Sequence, residues 1–215
     1  REMVTRVAGC AAFGSLDELF KAGVDAVTIA APTHLHHSIA LECIGRGIHV
    51  LVEKPMTERS DQAAELVRLA HERKLVLQVG HVERFNPVFS YLETAAPEPR
   101  FIECHRLSPF PARSTDIGVV LDLMIHDLDL VHRLVPGALA DVRATGRSVH
   151  GRLPDDVTAN LAFRNGTKVE LVANRSAEAR KRSMRVVYPD GEIEIVPCAV
   201  AVTLIVQARP EQVTL

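Results

Sequence analysis

The chain has 215 residues, 47% of them hydrophobic, with 25 lysines and arginines against 27 aspartates and glutamates for a net charge of −2. That length buries a core as one large domain or two small ones, and the balanced charge gives no electrostatic footprint for nucleic acid. No apolar run is long enough to span a bilayer, no signal-peptide pattern opens the chain, and Cys10, Cys43, Cys104 and Cys198 are too scattered for a disulfide framework or a zinc knuckle, so a reducing, cytoplasmic protein is expected.

Residues 1–14 carry no clear strand pattern. Ser15, with Glu18 three residues later, is a capping-box signature and opens a short helix in SLDELF. DAVTIAA (25–31) is β-branched and alanine-rich between Gly23 and Pro32, which predicts a buried strand. HLHHSIALECIGRG (34–47) places Leu35, Ile39, Cys43 and Ile44 at helical spacing, with Gly45 and Gly47 as stop signals. IHVLV (48–52) is the next strand, SDQAAELVRLAHERK (60–74) an amphipathic helix capped by Ser60, and LVLQVG (75–80) a third strand. Strands separated by helices of this length imply a parallel, doubly wound sheet.

After Gly80 the pattern changes. A helix is expected over 84–96, an alternating strand at RFIECHRL (100–107), a loop over 108–118 and a helix over 119–135, apolar with regular polar interruptions and ended by Pro136-Gly137. Alternating segments follow, with Asn165-Gly166 and Asp190-Gly191 between them as tight hairpin turns. The predicted fold class is therefore α/β: part of a Rossmann sheet in residues 1–82, then an α+β domain with a mainly antiparallel open sheet in 83–215. No strand precedes the first helix and no helix or cap closes the tail, so a fragment truncated at both ends is expected.

Three strand ends in the first half carry unusual residues: APTHLHH after 25–31, EKP (53–55) after 48–52, and GHVERFNP after 75–80. Singly, each has a plain structural reading as a helix start, a solvated loop lysine or a strand-end histidine. Carboxyl ends of parallel strands share one edge of the sheet, however, and that edge is where open α/β sheets bind ligands. In 119–135, Asp122 and His126 are one helical turn apart among apolar neighbours, where a carboxylate can orient an imidazole and raise its basicity. Asp127 and Asp129 are assigned to an exposed face.

EKP, GHVERFNP and GVVLDLMIHDLDLV, taken together and in this order, resemble the Gfo/Idh/MocA family of NAD(P)-dependent sugar and inositol oxidoreductases over roughly residues 10–195. The wording of ERFNP and DLMIHD is most similar to the bacterial UDP-N-acetylglucosamine 3-dehydrogenase group of that family. The resemblance implies a Rossmann domain over 1–82, and a substrate-binding and oligomerisation domain over 83–215 whose outer sheet face joins copies. It implies Lys54 beside the nicotinamide and the reacting carbon, Asp122 and His126 as a pair with His126 the general base, and Pro32, Thr33, His36, Glu53, Lys54 and Arg84 along the NAD or NADP cofactor.

Oxidising a secondary alcohol independently calls for a base to take the hydroxyl proton and a cation to steady the developing alkoxide. His126 and Lys54 are those types. The expected reaction is hydride transfer between NAD(P) and a sugar or nucleotide-sugar alcohol, such as the C3 hydroxyl of UDP-N-acetylglucosamine, with Arg106, Arg113 and Arg175 as candidate diphosphate contacts. One departure stands out: residues 1–215 contain no G-x-G-x-x-G turn. Truncation accounts for that, or else a degenerate relative that senses nucleotides without turning them over. A metal hydrolase built on His34, His36, His37 and His126 is disfavoured, because His34 and His36 lie on different faces of a helix and no H-E-x-x-H accompanies them. No metal is expected.

Overall fold

The structure is a computed structural model and describes residues 9–94, 98–110, 116–197 and 202–208. It divides into two compact units, Arg1–Gly80 and His81–Leu215.

In the first unit α1 (Leu16–Lys21) is capped as its sequence predicts, the Ser15 hydroxyl accepting the Glu18 N–H at 3.2 Å. Then come β1 (Ala26–Ile29), α2 (Thr33–Gly45), β2 (His49–Val52), α3 (Ser60–Glu72) and β3 (Leu77–Val79). The strands pair in parallel in the order β1-β2-β3. Because the order runs in one direction, right-handed crossovers place α2 and α3 on the same face, where they pack against each other. Ala40, Cys43 and Ile44 of α2 meet Val50 and Val52 of β2 and Leu66 of α3 in one buried cluster. Each such aliphatic side chain contributes roughly 1.5–3 kcal/mol on burial. This packing fixes the strands, and with them the turns that leave their carboxyl ends.

The second unit opens with a 3₁₀ turn (Val82–Phe85) and α4 (Pro87–Thr94). One helix over 84–96 was expected; Asn86, extended because it precedes Pro87, separates the two pieces. After β4 (Phe101–Leu107), the helix expected over 119–135 begins as a π turn (Val120–Met124) and becomes α-helical in α5 (Ile125–Leu134). Five strands follow, β5 (Leu139–Arg147), β6 (Asp156–Phe163), β7 (Lys168–Asn174), β8 (Lys181–Val187) and β9 (Gly191–Pro197). A further strand, β10 (Val202–Ala208), was not foreseen in the tail.

The described strands form a seven-stranded sheet in the order β10-β9-β8-β4-β7-β6-β5. Every pairing is antiparallel except β4 with β7, so the sheet is mainly antiparallel with a parallel pair at its middle. Burial alternates strictly along β4, β6 and β7, as a period-2 element with one covered face requires. The covered face (Ile102, Cys104, Leu161, Leu171, Val186 and their neighbours) packs with Phe89, Leu92, Met124 and Val131 of the helices. No helix among the described residues is long and apolar enough to cross a membrane.

Candidate active site

In the first unit, three loops leave the carboxyl edge of the parallel sheet and are tied to one another. Glu53 N–H donates to Ile29 O at 2.9 Å and Gly80 N–H to Val52 O at 2.8 Å, so the ladder runs right up to the turns. Glu53 is exposed, Lys54 half-buried and Pro55 buried, and the Lys54–Pro55 peptide is cis. The Glu53 carboxylate lies against Gly80, where an added Cβ would stand 3.1 Å from it and displace it slightly.

His36, 1% exposed, holds its Nδ1 2.8 Å from Pro55 O and its Nε2 2.8 Å from Ala31 O. It is a strut between the turn after β1 and the EKP turn, and both its nitrogens are turned onto backbone. Thr33 is buried beside it and Pro32 caps α2 without a side-chain hydrogen bond. Of the other histidines in HLHH, His34 is exposed and His37 pairs with Glu65 at 2.8 Å. Among the described residues no three His, Cys, Asp or Glu side chains gather as metal ligands would.

In the second unit Asp122 is buried in the π turn, and His126 follows one turn later, half-buried. The start of this helical stretch is pinned by Val119 N–H donating to Pro154 O at 2.9 Å and Asp122 N–H to Gly118 O at 3.1 Å. Beneath it lies Arg175, just beyond β7. Its Nε donates to Asp155 Oδ1 at 2.8 Å, its Nη1 donates to Ile117 O at 2.8 Å, and Nη1 stands 3.8 Å from Asp122 Oδ2. Asp155 Oδ2 accepts the backbone N–H groups of Val149 and His150 at 2.9 and 2.7 Å. The His150 N–H above all, then Arg175 and the Val149 N–H, hold the Asp155 carboxyl down at about 2 against the desolvation of burial.

A second cluster lies further along the helical stretch. Asp127 is buried, not exposed as expected, and Arg106 grips it through Nε at 3.0 Å and Nη2 at 2.7 Å. Glu83 lies 3.4 Å from Arg106 and 3.7 Å from Arg182. Burial and the repulsion of Arg106 lower the Arg182 pKa from its ordinary value. Asp129 is also well shielded; Arg84 holds both its oxygens and His81 Nδ1 is 3.7 Å away. These contacts correct the expectations for four residues. Asp127 and Asp129 sit in ion pairs, while Arg106 and Arg175 are committed to buried carboxylates and are unavailable for a diphosphate. Arg113 lies outside the described residues.

Residues 1–81 match the family model described as "Oxidoreductase family, NAD-binding Rossmann fold", and residues 95–194 match the GFO/IDH/MocA C-terminal domain. A solved UDP-N-acetylglucosamine 3-dehydrogenase from Acidithiobacillus ferrooxidans superposes with a TM-score of 0.87 at 38% identity, over 97% of this chain and 70% of that one. The chain belongs to the Gfo/Idh/MocA family of oxidoreductases.

Among curated Gfo/Idh/MocA proteins, the Acidithiobacillus ferrooxidans UDP-N-acetylglucosamine 3-dehydrogenase is 43% identical over 182 residues, which is 84% of this chain and 58% of the relative. An inositol 2-dehydrogenase of Saccharopolyspora erythraea is 32% identical over 70% of this chain and 48% of its own length. The chain thus spans about half the length of these curated relatives. The residues singled out from the sequence fall into two groups here: Pro32, Thr33, His36, Glu53 and Lys54 along one sheet edge, and Asp122 with His126 in one helical stretch. Sequence reasoning missed Asp155, the buried carboxylate beside Arg175.

Proposed function

We propose that the protein transfers a hydride between NAD or NADP and a secondary alcohol of a sugar or nucleotide sugar, with the C3 hydroxyl of UDP-N-acetylglucosamine as its substrate. The observation that carries this reading is that EKP after β2 and the Asp122–His126 pair are both present in a chain 43% identical to a UDP-N-acetylglucosamine 3-dehydrogenase. In this reading residues 1–82 bind the dinucleotide, and 83–215 bind the substrate and join copies through the outer sheet face. That face carries Glu103, His105, Glu170 and Arg185, all part-exposed. Free thiols at Cys10, Cys43 and Cys104 accord with a cytoplasmic setting.

The carboxyl edge of the first sheet fits a dinucleotide by its donor set. The first turn of α2 has no side-chain cap, Lys54 supplies a cation, and the Glu53 carboxylate lies against side-chain-free Gly80. Pro32, Thr33, Glu53, Lys54 and Arg84 would hold the group, with His36 acting through the Pro55 and Ala31 carbonyls. When bound, the nicotinamide supplies the hydride acceptor. His126 takes the hydroxyl proton at a ring nitrogen, Asp122 orients that ring, and Lys54 steadies the negative charge growing on the oxygen.

Supplying UDP-N-acetylglucosamine with NAD, then NADP, and following reduced nicotinamide tests the reading, with mass spectrometry for a product lighter by two hydrogens. Turnover is expected to survive a chelator. Turnover of free inositol without response to sugar nucleotides would move the protein to another branch of the family, and binding without turnover would favour the nucleotide-sensing relative.

A further inference from the structure

Arg175 is in phase with Val169, Leu171 and Ala173 on the covered face of the sheet and is 2% exposed. A cation so deeply placed needs both charge compensation and hydrogen-bond acceptors. Asp155, 1% exposed, supplies a counter-charge through its Oδ1, and Ile117 O takes a second N–H. The Nη1 group that meets Ile117 also faces Asp122 Oδ2 at 3.8 Å, on the segment that opens the helical stretch carrying His126.

The backbone repeats the same junction. Arg175 N–H donates to Asp155 O, Asp155 N–H to Arg147 O, and Val119 N–H to Pro154 O, each at 2.9 Å. The ends of three strands and the start of the helical stretch therefore meet at one junction, beside the Arg175 guanidinium. A lone structural ion pair would need Arg175 and Asp155 only. Here the fork also reaches the segment 117–122 by a carbonyl and a carboxylate.

We infer that Arg175 is a positioning residue for Asp122: held by Asp155, it seats the Asp122 carboxylate and the first turn of the helical stretch so that the ring of His126 is presented in one orientation. Asp155 is the counter-charge that lets Arg175 do this without closing fully onto Asp122. A guanidinium suits the task because its planar fork addresses several acceptors at once, which an ammonium on a flexible stem does not. The inference rests on the dehydrogenase reading for its kinetic consequence, but its structural consequence stands apart from that reading.

The test uses Arg175→Gln, Arg175→Lys and Asp155→Asn in the full protein, with thermal unfolding recorded for each. Arg175→Gln is expected to lower kcat roughly 10²-fold, as a misplacement of about 1 Å does, while KM for UDP-N-acetylglucosamine stays close to wild type. Arg175→Lys should recover part of the loss. Folded Arg175 variants with wild-type kcat, or a loss confined to KM, overturn the inference.

If neither Arg175 variant folds, Asp155→Asn decides: with Asp155 neutral, Arg175 should close onto Asp122 and depress kcat, and an unchanged kcat overturns the inference. If the wild-type protein turns over no sugar nucleotide, the dehydrogenase reading fails. Crystal structures of wild type and Asp155→Asn then decide the matter. An Asp122 carboxylate drawn in from 3.8 Å to direct contact with Arg175 supports the inference, and an unmoved carboxylate refutes it.

Discussion

Two buried arginines approach the same helical stretch from the sheet, and they use their guanidinium groups differently. Arg106 closes on Asp127 through both Nε and Nη2, with Glu83 as a second counter-charge at 3.4 Å. Arg175 gives its short contacts to Asp155 and the Ile117 carbonyl and stands 3.8 Å from Asp122. A closed bidentate pair neutralises both partners and works as a fastener. A fork shared between a carboxylate, a carbonyl and a more distant carboxylate holds the third group in place without quenching it. The first arrangement suits fold maintenance; the second suits a carboxylate that must still act on its neighbour.

The widest separation between the two clusters should come from single replacements on either side of position 126. His126→Asn keeps size and some hydrogen bonding but cannot accept a proton near neutral pH, so turnover should fall about 10²–10⁴-fold with little change in melting temperature. Asp122→Asn should show a comparable or smaller loss, and Lys54→Met, which keeps stem length and removes the charge, should also lose turnover. Wild-type turnover in His126→Asn would remove it as the base.

Asp127→Ala belongs to the other class. Removing one partner of a buried pair leaves the other charge poorly compensated, at up to roughly 3–5 kcal/mol, against a total stability of about 5–15 kcal/mol for a domain. Glu83, still 3.4 Å from Arg106, offsets part of that loss. Denaturant unfolding measures it, and the joint change Asp127→Leu with Arg106→Met should recover most of the loss. A silent Asp127→Ala would mean that the Arg106 fork is not closed in solution.

Much of this was legible from residue patterns, and the failures have identifiable causes. The parallel strands of the first unit, their order along the chain and the EKP turn follow from β-branched runs bounded by glycine and proline. The Asn165-Gly166 and Asp190-Gly191 turns follow from turn chemistry. Arg106 and Arg175 were misassigned because charge suggested exposure, although each is in phase with apolar residues: Arg106 with Ile102 and Cys104, Arg175 with Leu171 and Ala173. Asp127 was misassigned in the same way, despite standing three residues from both Met124 and Leu130 on the buried stripe. Period should have outweighed polarity at all three. Asp155 had no such signal, since its partner lies twenty residues away in the chain and its other acceptor oxygen serves loop N–H groups that no pattern announces.

The acid side of stability sharpens the comparison further. The Asp155 carboxyl sits at about 2 in the fold, below the ordinary value of 3.8, because the His150 N–H, Arg175 and the Val149 N–H favour its ionised form. Lowered in the folded state, it contributes stability that is fully present above about pH 4 and is lost as pH falls towards 2. Asp155→Asn should therefore be less stable than wild type near neutral pH, and the gap should narrow between pH 4 and 2. Unfolding free energies of both proteins across that window check the sign. A gap that is constant with pH would mean that the Asp155 charge contributes nothing to the junction.

The smallest effect marks the exposed end of the same scale. Arg68 and Glu72 form an i, i+4 pair on α3 at 2.9 Å, with side chains 59% and 53% exposed. Water screens such a pair and two long side chains lose rotamer freedom in forming it. The cation also lies N-terminal to the anion, the less favourable order along a helix dipole. Arg68→Ala should therefore change unfolding free energy by less than about 0.5 kcal/mol, and added salt should shrink that difference further. A loss as large as that expected for Asp127→Ala would mean that geometry alone, and not the removal of water, sets the strength of these ion pairs. The contrast between the Arg106 and Arg175 clusters would then have to be sought in their distances alone.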